Sequence, residues 1–270
     1  MHLALCTQQF GNYWSGLGSY STLLAQGLAD RGVKLTIITP GETISTLEAN
    51  FISVKPKDWD PTHGGWFSLS REYAKVLRQI DPDIIHFTDA REAYAYQGKI
   101  PTVGTLHDDY FARHSWWPWT YKQHYVDWVK RYAYYSFVTL TERTAMRRMG
   151  ALIANSAATA QTIGRRYEIP TTNIRTIYIQ PDLKPSSLKT GLETDRLKSP
   201  TLLFVGGNIQ RKGLPLVFKS LLKLKADYPG LKLRILGKNQ NLDKMKQISD
   251  DLGLGDCIEY LGWVHPESMA

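Results

Sequence analysis

The sequence predicts an α/β protein built from two Rossmann-like βαβ domains, of which the second is incomplete. Two observations support this class: apolar runs of about five residues alternate with amphipathic helical segments, and glycines follow several of the runs. A segment rich in Pro, Ser and Lys interrupts the alternation and predicts a linker over residues 186–199. We therefore expect an N-terminal domain over residues 1–185 and a partial C-terminal domain over residues 200–270.

The composition is typical of a globular protein, with 43% hydrophobic and 21% charged residues. No apolar run approaches the roughly 18 residues that a membrane helix needs, and residues 1–10 lack the basic start and long apolar core of a signal peptide. We expect a cytoplasmic protein in which Cys6 and Cys257 are small buried side chains without a disulfide.

The formal net charge of +8 is divided equally between residues 1–185 and residues 186–270. An evenly spread excess argues against a nucleic-acid-binding tail, so no nucleic-acid partner is expected. It favours anionic small molecules or an anionic membrane surface as partners.

The first domain alternates strands and helices from its start. Residues 2–6 predict a strand, Gln8–Gly18 a glycine-rich loop, and the apolar stripe from Tyr20 to Leu28 a helix that ends at Gly32. Further strands are predicted at Val33–Thr39, Phe51–Val54, Asp83–Phe87, Ile100–Leu106, Ala151–Asn155 and Ile174–Ile179. Further helices are predicted at Trp66–Ile80, Ala90–Gln97 and Ala157–Tyr167, the last with Ser156 as its N-cap.

Polar residues follow the apolar strands of this domain. His107 comes directly after Ile100–Leu106, and His86 lies near the end of the preceding strand. The carboxyl ends of parallel strands share one edge of the sheet, so His107 is expected beside the Gly16–Gly18 loop. Histidine titrates near neutral pH, which makes His107 a candidate for ligand contact or proton handling. A purely structural role is the alternative for either histidine.

Residues 110–150 hold 12 of the 31 aromatic residues of the chain and carry an excess of Lys and Arg. Tyr121, Tyr125, Trp128, Tyr132 and Tyr135 recur at a helical period and predict one aromatic stripe. The stripe either packs on the core or forms a basic, aromatic face for a membrane or a lipid-linked acceptor. The residues proposed for that face are Trp116, Trp117, Trp128, Arg143, Arg147 and Arg148.

The second domain opens with a predicted buried strand at Thr201–Val205, followed by Gly206 and Gly207 and by the cations Arg211 and Lys212. Glycines at a strand end let backbone approach a ligand, and the helix that follows presents free amides to an anion. The pattern predicts a phosphate or diphosphate site, with a solvated turn as the alternative. The next elements are predicted at 214–226, 231–236, 240–252 and 257–261.

Taken in order, several motifs resemble the retaining glycosyltransferases of family 4, which have the two-Rossmann GT-B fold. The matching motifs are Gly16-Leu-Gly18, Asp83-Ile-Ile-His86, Thr105-Leu-His-Asp108, Leu152-Ile-Ala-Asn-Ser156, Leu203-Phe-Val-Gly-Gly207, Arg211-Lys-Gly213, Leu252-Gly-Leu-Gly-Asp256 and Tyr260-Leu-Gly262.

The resemblance implies transfer of a sugar from a nucleotide-sugar donor to a glycolipid or polysaccharide-precursor acceptor, with retention of anomeric configuration. It implies neither a metal nor another cofactor. Gly16 and Gly18 would approach the donor phosphate, His107 would face the reacting sugar, and Lys212 would stabilise the departing diphosphate.

Two departures from the family pattern stand out. Gly207 occupies the position where the family commonly has Arg, and Arg211 would have to substitute for it. Glu259 and Glu267 have the spacing of the family's acidic pair but flank a strand and turn, so we reject that match. We expect the true pair beyond Ala270, and therefore weak donor binding and no turnover by these 270 residues alone.

Two other functions remain open. One is a non-catalytic sugar-phosphate-binding or partner subunit completed by another chain. The other is a nicotinamide-dependent oxidoreductase, which the residues disfavour. Ser21 stands where the dinucleotide fingerprint needs a third glycine, and Thr39 and Pro40 stand where it needs an acidic residue.

Overall fold

A computed structural model describes residues 1–11, 15–107, 125–179, 199–206, 212–237 and 242–264. The chain divides into two compact units, an N-terminal unit over Met1–Asp182 and a C-terminal unit over Leu183–Ala270. Both are α/β, which confirms the predicted class. The predicted linker falls almost wholly outside the described residues.

Within the described residues, the N-terminal unit contains a seven-stranded parallel sheet with the order β3-β2-β1-β4-β5-β6-β7. Its strands are β1 (His2–Cys6), β2 (Lys34–Thr39), β3 (Asn50–Ser53), β4 (Ile84–Phe87), β5 (Thr102–Leu106), β6 (Ala151–Ala154) and β7 (Ile174–Thr176). Its α-helices are α1 (Gly16–Ala29), α2 (Trp66–Val76), α3 (Tyr125–Arg148) and α4 (Ala157–Tyr167), and a short 3-10 helix spans Ala90–Ala93.

The pleat of β1 explains why helices are needed on both faces of the sheet. Leu3 and Leu5 join the apolar cluster that contains Ala25 of α1. Ala4 and Cys6 point to the opposite face and join the cluster that contains Tyr73 of α2. Successive strand residues alternate between faces, so a strand that is apolar on both must be covered twice.

The C-terminal unit has a three-stranded parallel sheet in its described part, with the order β10-β9-β8. The strands are β8 (Thr201–Val205), β9 (Lys232–Leu236) and β10 (Ile258–Gly262), and the helices are α5 (Leu214–Asp227) and α6 (Leu242–Asp251). Phe218, Leu233, Ile235 and Met245 form the centre of its core.

The prediction that Thr201–Val205 is buried is wrong. β8 lies at an edge of the three-stranded sheet that the described residues form, and Leu203 is 63% exposed. Leu203 pairs in register with Arg234, whose side chain binds Glu259, whereas the core helices cover the face that carries Leu233 and Ile235. An apolar run predicts a strand, but the burial of that strand depends on which elements pack against it.

Local sequence patterns predicted some helix ends correctly and placed others several residues too far toward the C-terminus. Ser156 is the N-cap of α4, as predicted, with its hydroxyl accepting a hydrogen bond from the Thr159 amide at 3.1 Å. Helix α2 ends at Val76, not Ile80, and the short helix expected over Ala90–Gln97 is a single 3-10 turn. Cys6 and Cys257 are both free and buried, as expected.

Candidate active site

Residues that follow β1, β4, β5 and β6 meet at the carboxyl edge of the N-terminal sheet. The Thr88 amide donates to the Cys6 carbonyl at 2.9 Å, and the Asn155 amide donates to the Leu106 carbonyl at 3.2 Å. Open α/β sheets place their ligands at this edge, because the loops there leave the sheet in different directions.

His107 lies at this edge, directly after β5, and is partly exposed. Its Nε2 atom is 2.7 Å from the carbonyl oxygen of Thr88, and its own carbonyl accepts a hydrogen bond from the Asn155 side-chain amide at 3.0 Å. The ring of Tyr20, from α1, packs edge-on against the imidazole with centroids 4.8 Å apart. His107 is thus held by residues from three different elements.

A hydrogen-bonded chain leads from Tyr20 into the sheet. The Tyr20 hydroxyl lies 2.9 Å from Oγ1 of Thr105, and the same Oγ1 lies 2.8 Å from Nε2 of His86. Burial lowers the pKa of His86 to about 4, and the nearby His107 adds to the shift. His86 is therefore a neutral structural residue at pH 7, whereas His107 remains accessible.

A buried cluster of charges occupies the segment after β4. Arg91 Nε lies 3.0 and 3.1 Å from the two carboxylate oxygens of Asp89, and 3.6 Å from the Glu142 carboxylate on α3. Glu142 also accepts a hydrogen bond from the Tyr167 hydroxyl at 2.6 Å. Burial alone would raise the pKa of Asp89, but Arg91 outweighs it and the net shift is downward. The cluster links the 3-10 helix to α3 and α4.

Glu92, beside this cluster, is fully buried. Its Oε1 accepts a hydrogen bond from the Gln8 amide at 3.0 Å, which ties the loop after β1 to the 3-10 helix. Burial, reinforced by the negative charge of Asp89, raises the pKa of Glu92 well above its usual range. A protonated carboxyl can occupy this position without the free-energy cost of an unpaired buried charge.

The predicted phosphate-binding glycines of the N-terminal unit lie inside the first turn of α1 and not in a loop. Ser15 is the N-cap of this helix, and its hydroxyl accepts the Gly18 amide at 2.9 Å. The Gly18 amide is therefore already bonded within the protein. A Cβ built on Gly16 would meet no atom of the described residues within 4 Å.

Lys212 lies in the C-terminal unit, between β8 and α5. Its Nζ donates to the Val205 carbonyl at 3.0 Å, which places a cation at the carboxyl end of β8. A Cβ on Gly206 would lie 2.3 Å from Lys212 Cδ, so the glycine leaves room for this side chain. Helix α5 follows with Gly213 as a left-handed N-cap and with no acidic residue in its first turn. The expected row of free amides is absent from the first turn of α5, because Pro215 has no amide and the Leu216 amide donates to the Gly213 carbonyl at 2.9 Å. Lys212 and the helix dipole are the features that suit an anion.

The remaining predicted residues have different positions. Arg143 and Arg147 both donate to the Glu168 carboxylate, at 2.7 and 2.9 Å, and Arg148 is exposed at the end of α3. Tyr132, from the predicted stripe, is 54% exposed and therefore not part of the core. The predicted residues outside the described part of the chain are Gly207, Arg211, Trp116, Trp117 and the side chain of Trp128.

Comparison with protein families assigns both units. Residues 14–179 match the model of Glycosyltransferase Family 4, and residues 193–270 match that of Glycosyl transferases group 1. The chain belongs to glycosyltransferase family 4. No curated protein matches it in sequence.

Solved glycosyltransferases share the fold of this family 4 chain. WaaG, a glycosyltransferase involved in lipopolysaccharide biosynthesis, aligns with a TM-score of 0.70 at 17% identity, over 98% of this chain and 71% of that chain. WaaB, a lipopolysaccharide outer core galactosyltransferase, aligns with a TM-score of 0.61 at 14% identity, over 100% of this chain and 70% of that chain. HepE from Anabaena, solved with UDP and glucose, aligns with a TM-score of 0.63 at 15% identity, over 97% of this chain and 69% of that chain. The predicted GT-B fold is thereby confirmed.

Four residues of the N-terminal unit were not predicted as site residues from the sequence: Tyr20, which packs on His107, and Asp89, Arg91 and Glu92 in the segment after β4. The rule that selected His107, a polar residue directly after a strand, applies equally to the segment after β4. In this glycosyltransferase fold, that signal could have identified Asp89. Tyr20 carried no such signal, because it lies within an ordinary helical stripe.

The neutral His86 makes the stability of the protein depend on pH. Above pH 6.5 this histidine is neutral in both the folded and the unfolded chain, so it does not change the free energy of unfolding. As the pH falls from 6.5 to about 4, only the unfolded chain takes up the proton, and the folded protein therefore loses stability. We expect this group to remove about 3 kcal/mol of unfolding free energy between pH 7 and pH 4.

The measurement is urea unfolding of the wild type and of His86→Gln at both pH values. The variant should lose less stability than the wild type over this interval, by about the amount given above. Equal losses in the two proteins would contradict the assignment of His86 as a buried neutral residue.

Proposed function

We propose that this chain transfers a sugar from a nucleoside-diphosphate-sugar to a glycolipid or polysaccharide-precursor acceptor, with retention of anomeric configuration. The observation that carries the proposal is Lys212, a cation at a strand end ahead of an α-helix without an acidic first turn. Support for the donor class comes from HepE, which was solved with UDP and glucose. Support for the acceptor class comes from WaaG and WaaB, which are described as lipopolysaccharide enzymes.

The proposed roles follow from the charges that change during the reaction. The bond between the sugar and the diphosphate breaks, and negative charge develops on the departing diphosphate. Lys212 and the positive N-terminal end of the α5 dipole stabilise that charge, so the reaction needs no metal ion. His107 contacts the reacting sugar, and Gly16 leaves space for the donor at the start of α1.

The direct test is sugar transfer by the protein purified from its native cells. With a panel of UDP-sugars, we expect a product whose anomeric configuration matches the donor by NMR, and a rate unchanged by EDTA. His107→Ala should lower kcat/KM about 100-fold. His2→Ala, at the opposite end of the sheet, should leave it unchanged. UDP binding without transfer would favour a non-catalytic subunit, and an inverted product would exclude retention.

Lys212 should govern donor affinity. A charge-assisted hydrogen bond to phosphate is worth about 1.5–3 kcal/mol, so Lys212→Ala should weaken UDP binding about 10- to 100-fold in isothermal titration calorimetry. Gly206→Ala should also weaken it, because the added methyl group displaces the Lys212 side chain.

Lys225 provides a matched control for Lys212. Its Nζ donates to the Gly253 carbonyl at 3.0 Å, so it is an exposed lysine on a backbone carbonyl in the same unit. Lys225→Ala should bind UDP like the wild type. If Lys212→Ala and Lys225→Ala bind UDP equally well, Lys212 does not hold the diphosphate.

We also propose that the protein acts as a cytoplasmic, peripheral protein at an anionic membrane surface. Among the described helices, none is long and apolar enough to cross a membrane. The support is an exposed, uncharged face of α3, formed by Val129, Tyr132, Ala133, Ser136, Phe137 and Leu140. Apolar helix faces of this kind suit an interfacial position. Arg143 and Arg147 contribute less than the sequence predicts, because Glu168 binds both.

Liposome sedimentation distinguishes the contribution of the apolar face of α3 from that of the arginines near the end of the helix. Tyr132→Ser with Leu140→Ser should lower binding to anionic vesicles at least about 10-fold, since each apolar side chain contributes about 1.5–3 kcal/mol when buried. Leu216→Ser, at a 69% exposed position on α5, is the control. Replacing Arg143, Arg147 and Arg148 by Ala should have a smaller effect. Unchanged sedimentation of every variant would argue against a membrane surface here.

A further inference from the structure

His107 uses one ring nitrogen for the protein. Nε2 lies 2.7 Å from the carbonyl oxygen of Thr88. A carbonyl oxygen can only accept a hydrogen bond, so Nε2 must carry the proton. In the neutral imidazole the lone pair then lies on Nδ1, for which no partner occurs in the part of the chain that the structure describes. The protein therefore selects the tautomer.

Tyr20 restrains the imidazole from a second direction. The two rings meet edge to face, with centroids 4.8 Å apart and an interplanar angle of 77°. The phenol is fixed at its far end, because its hydroxyl lies 2.9 Å from Thr105 Oγ1, which also lies 2.8 Å from Nε2 of buried His86. Tyr20 is thus anchored by the α1 backbone at one end and by the sheet at the other.

We propose that Tyr20 is a positioning residue, which together with the Thr88 carbonyl holds His107 so that Nδ1 accepts a hydrogen bond from a hydroxyl group of the sugar substrate. The proposal rests on the proposed sugar transfer. A neutral nitrogen with a lone pair attracts an O–H group and repels an anionic oxygen. His107 in this tautomer therefore suits a sugar hydroxyl.

The first test needs no substrate. Long-range ¹⁵N–¹H NMR of histidine-labelled full-length protein reports which ring nitrogen is protonated, and His107→Asn assigns the signal. The wild type should show His107 protonated on Nε2. Tyr20→Leu, which removes the ring contact, should give a mixture of tautomers. Tyr20→Phe and Thr105→Val, which remove the hydroxyl anchor, should give smaller shifts in the same direction.

Tyr260→Phe is the matched control, because the Tyr260 hydroxyl also binds a side-chain hydroxyl, that of Ser249 at 3.2 Å, but in the C-terminal unit. It should leave the His107 spectrum unchanged. A wild-type His107 protonated on Nδ1, or a Tyr20→Leu spectrum identical to the wild type, would overturn the proposal.

The second test uses transfer from UDP-sugars. Misplacing a catalytic group by about 1 Å can cost about 100-fold, so Tyr20→Leu should lower kcat about 10- to 100-fold while the affinity for UDP stays unchanged. Tyr20→Phe should lower it about 3- to 10-fold. If Tyr20→Leu alters the tautomer but not kcat, the positioning role is wrong. If the wild type transfers no sugar yet shows the expected tautomers, the proposed function fails and the restraint of His107 stands.

Discussion

The common direction of the strands is the constraint on which this structure depends. All seven described strands of the N-terminal sheet run parallel, so each one delivers its following residues to the same edge. Thr88, His107 and Asn155 are far apart in sequence, but the order β1-β4-β5-β6 makes them neighbours. A one-residue change of register would exchange the two faces of a strand and disrupt both the core and this edge.

The edge also concentrates ionisable groups that must be buried, and the fold accommodates each of them differently. Arg91 pairs with Asp89 and holds its pKa below the usual range, whereas burial raises the pKa of Glu92, whose Oε1 accepts the Gln8 amide. His86 remains neutral and bonds to a hydroxyl. These contacts fix the buried groups in place, while His107 stays partly exposed at the same edge. Preorganisation of this kind lets a site act on a substrate without first rearranging.

The two units present different functional groups. The N-terminal unit presents an imidazole whose tautomer the protein selects, which suits a neutral hydroxyl. The C-terminal unit presents a lysine and a helix N-terminus, which suit a diphosphate. Each unit matches a family model of glycosyltransferases.

Local patterns in the sequence determined the elements, because an apolar run or a helical stripe reflects interactions within a few residues. They placed β8 at Thr201–Val205 and α4 at Ala157–Tyr167, with Ser156 as its cap, and they placed His107 at a strand end. The motif order also indicated the family. These properties need no knowledge of distant partners.

Tertiary structure alone decided which groups bind one another. Leu203 is exposed, because the burial of a strand depends on the elements that pack against it. The Gly18 amide donates to the Ser15 hydroxyl. Tertiary structure also paired Arg143 and Arg147 with Glu168, and it set Tyr20 against His107 across 87 residues of sequence. Such contacts depend on how helices pack on the sheet, and no periodicity of a single segment encodes that packing.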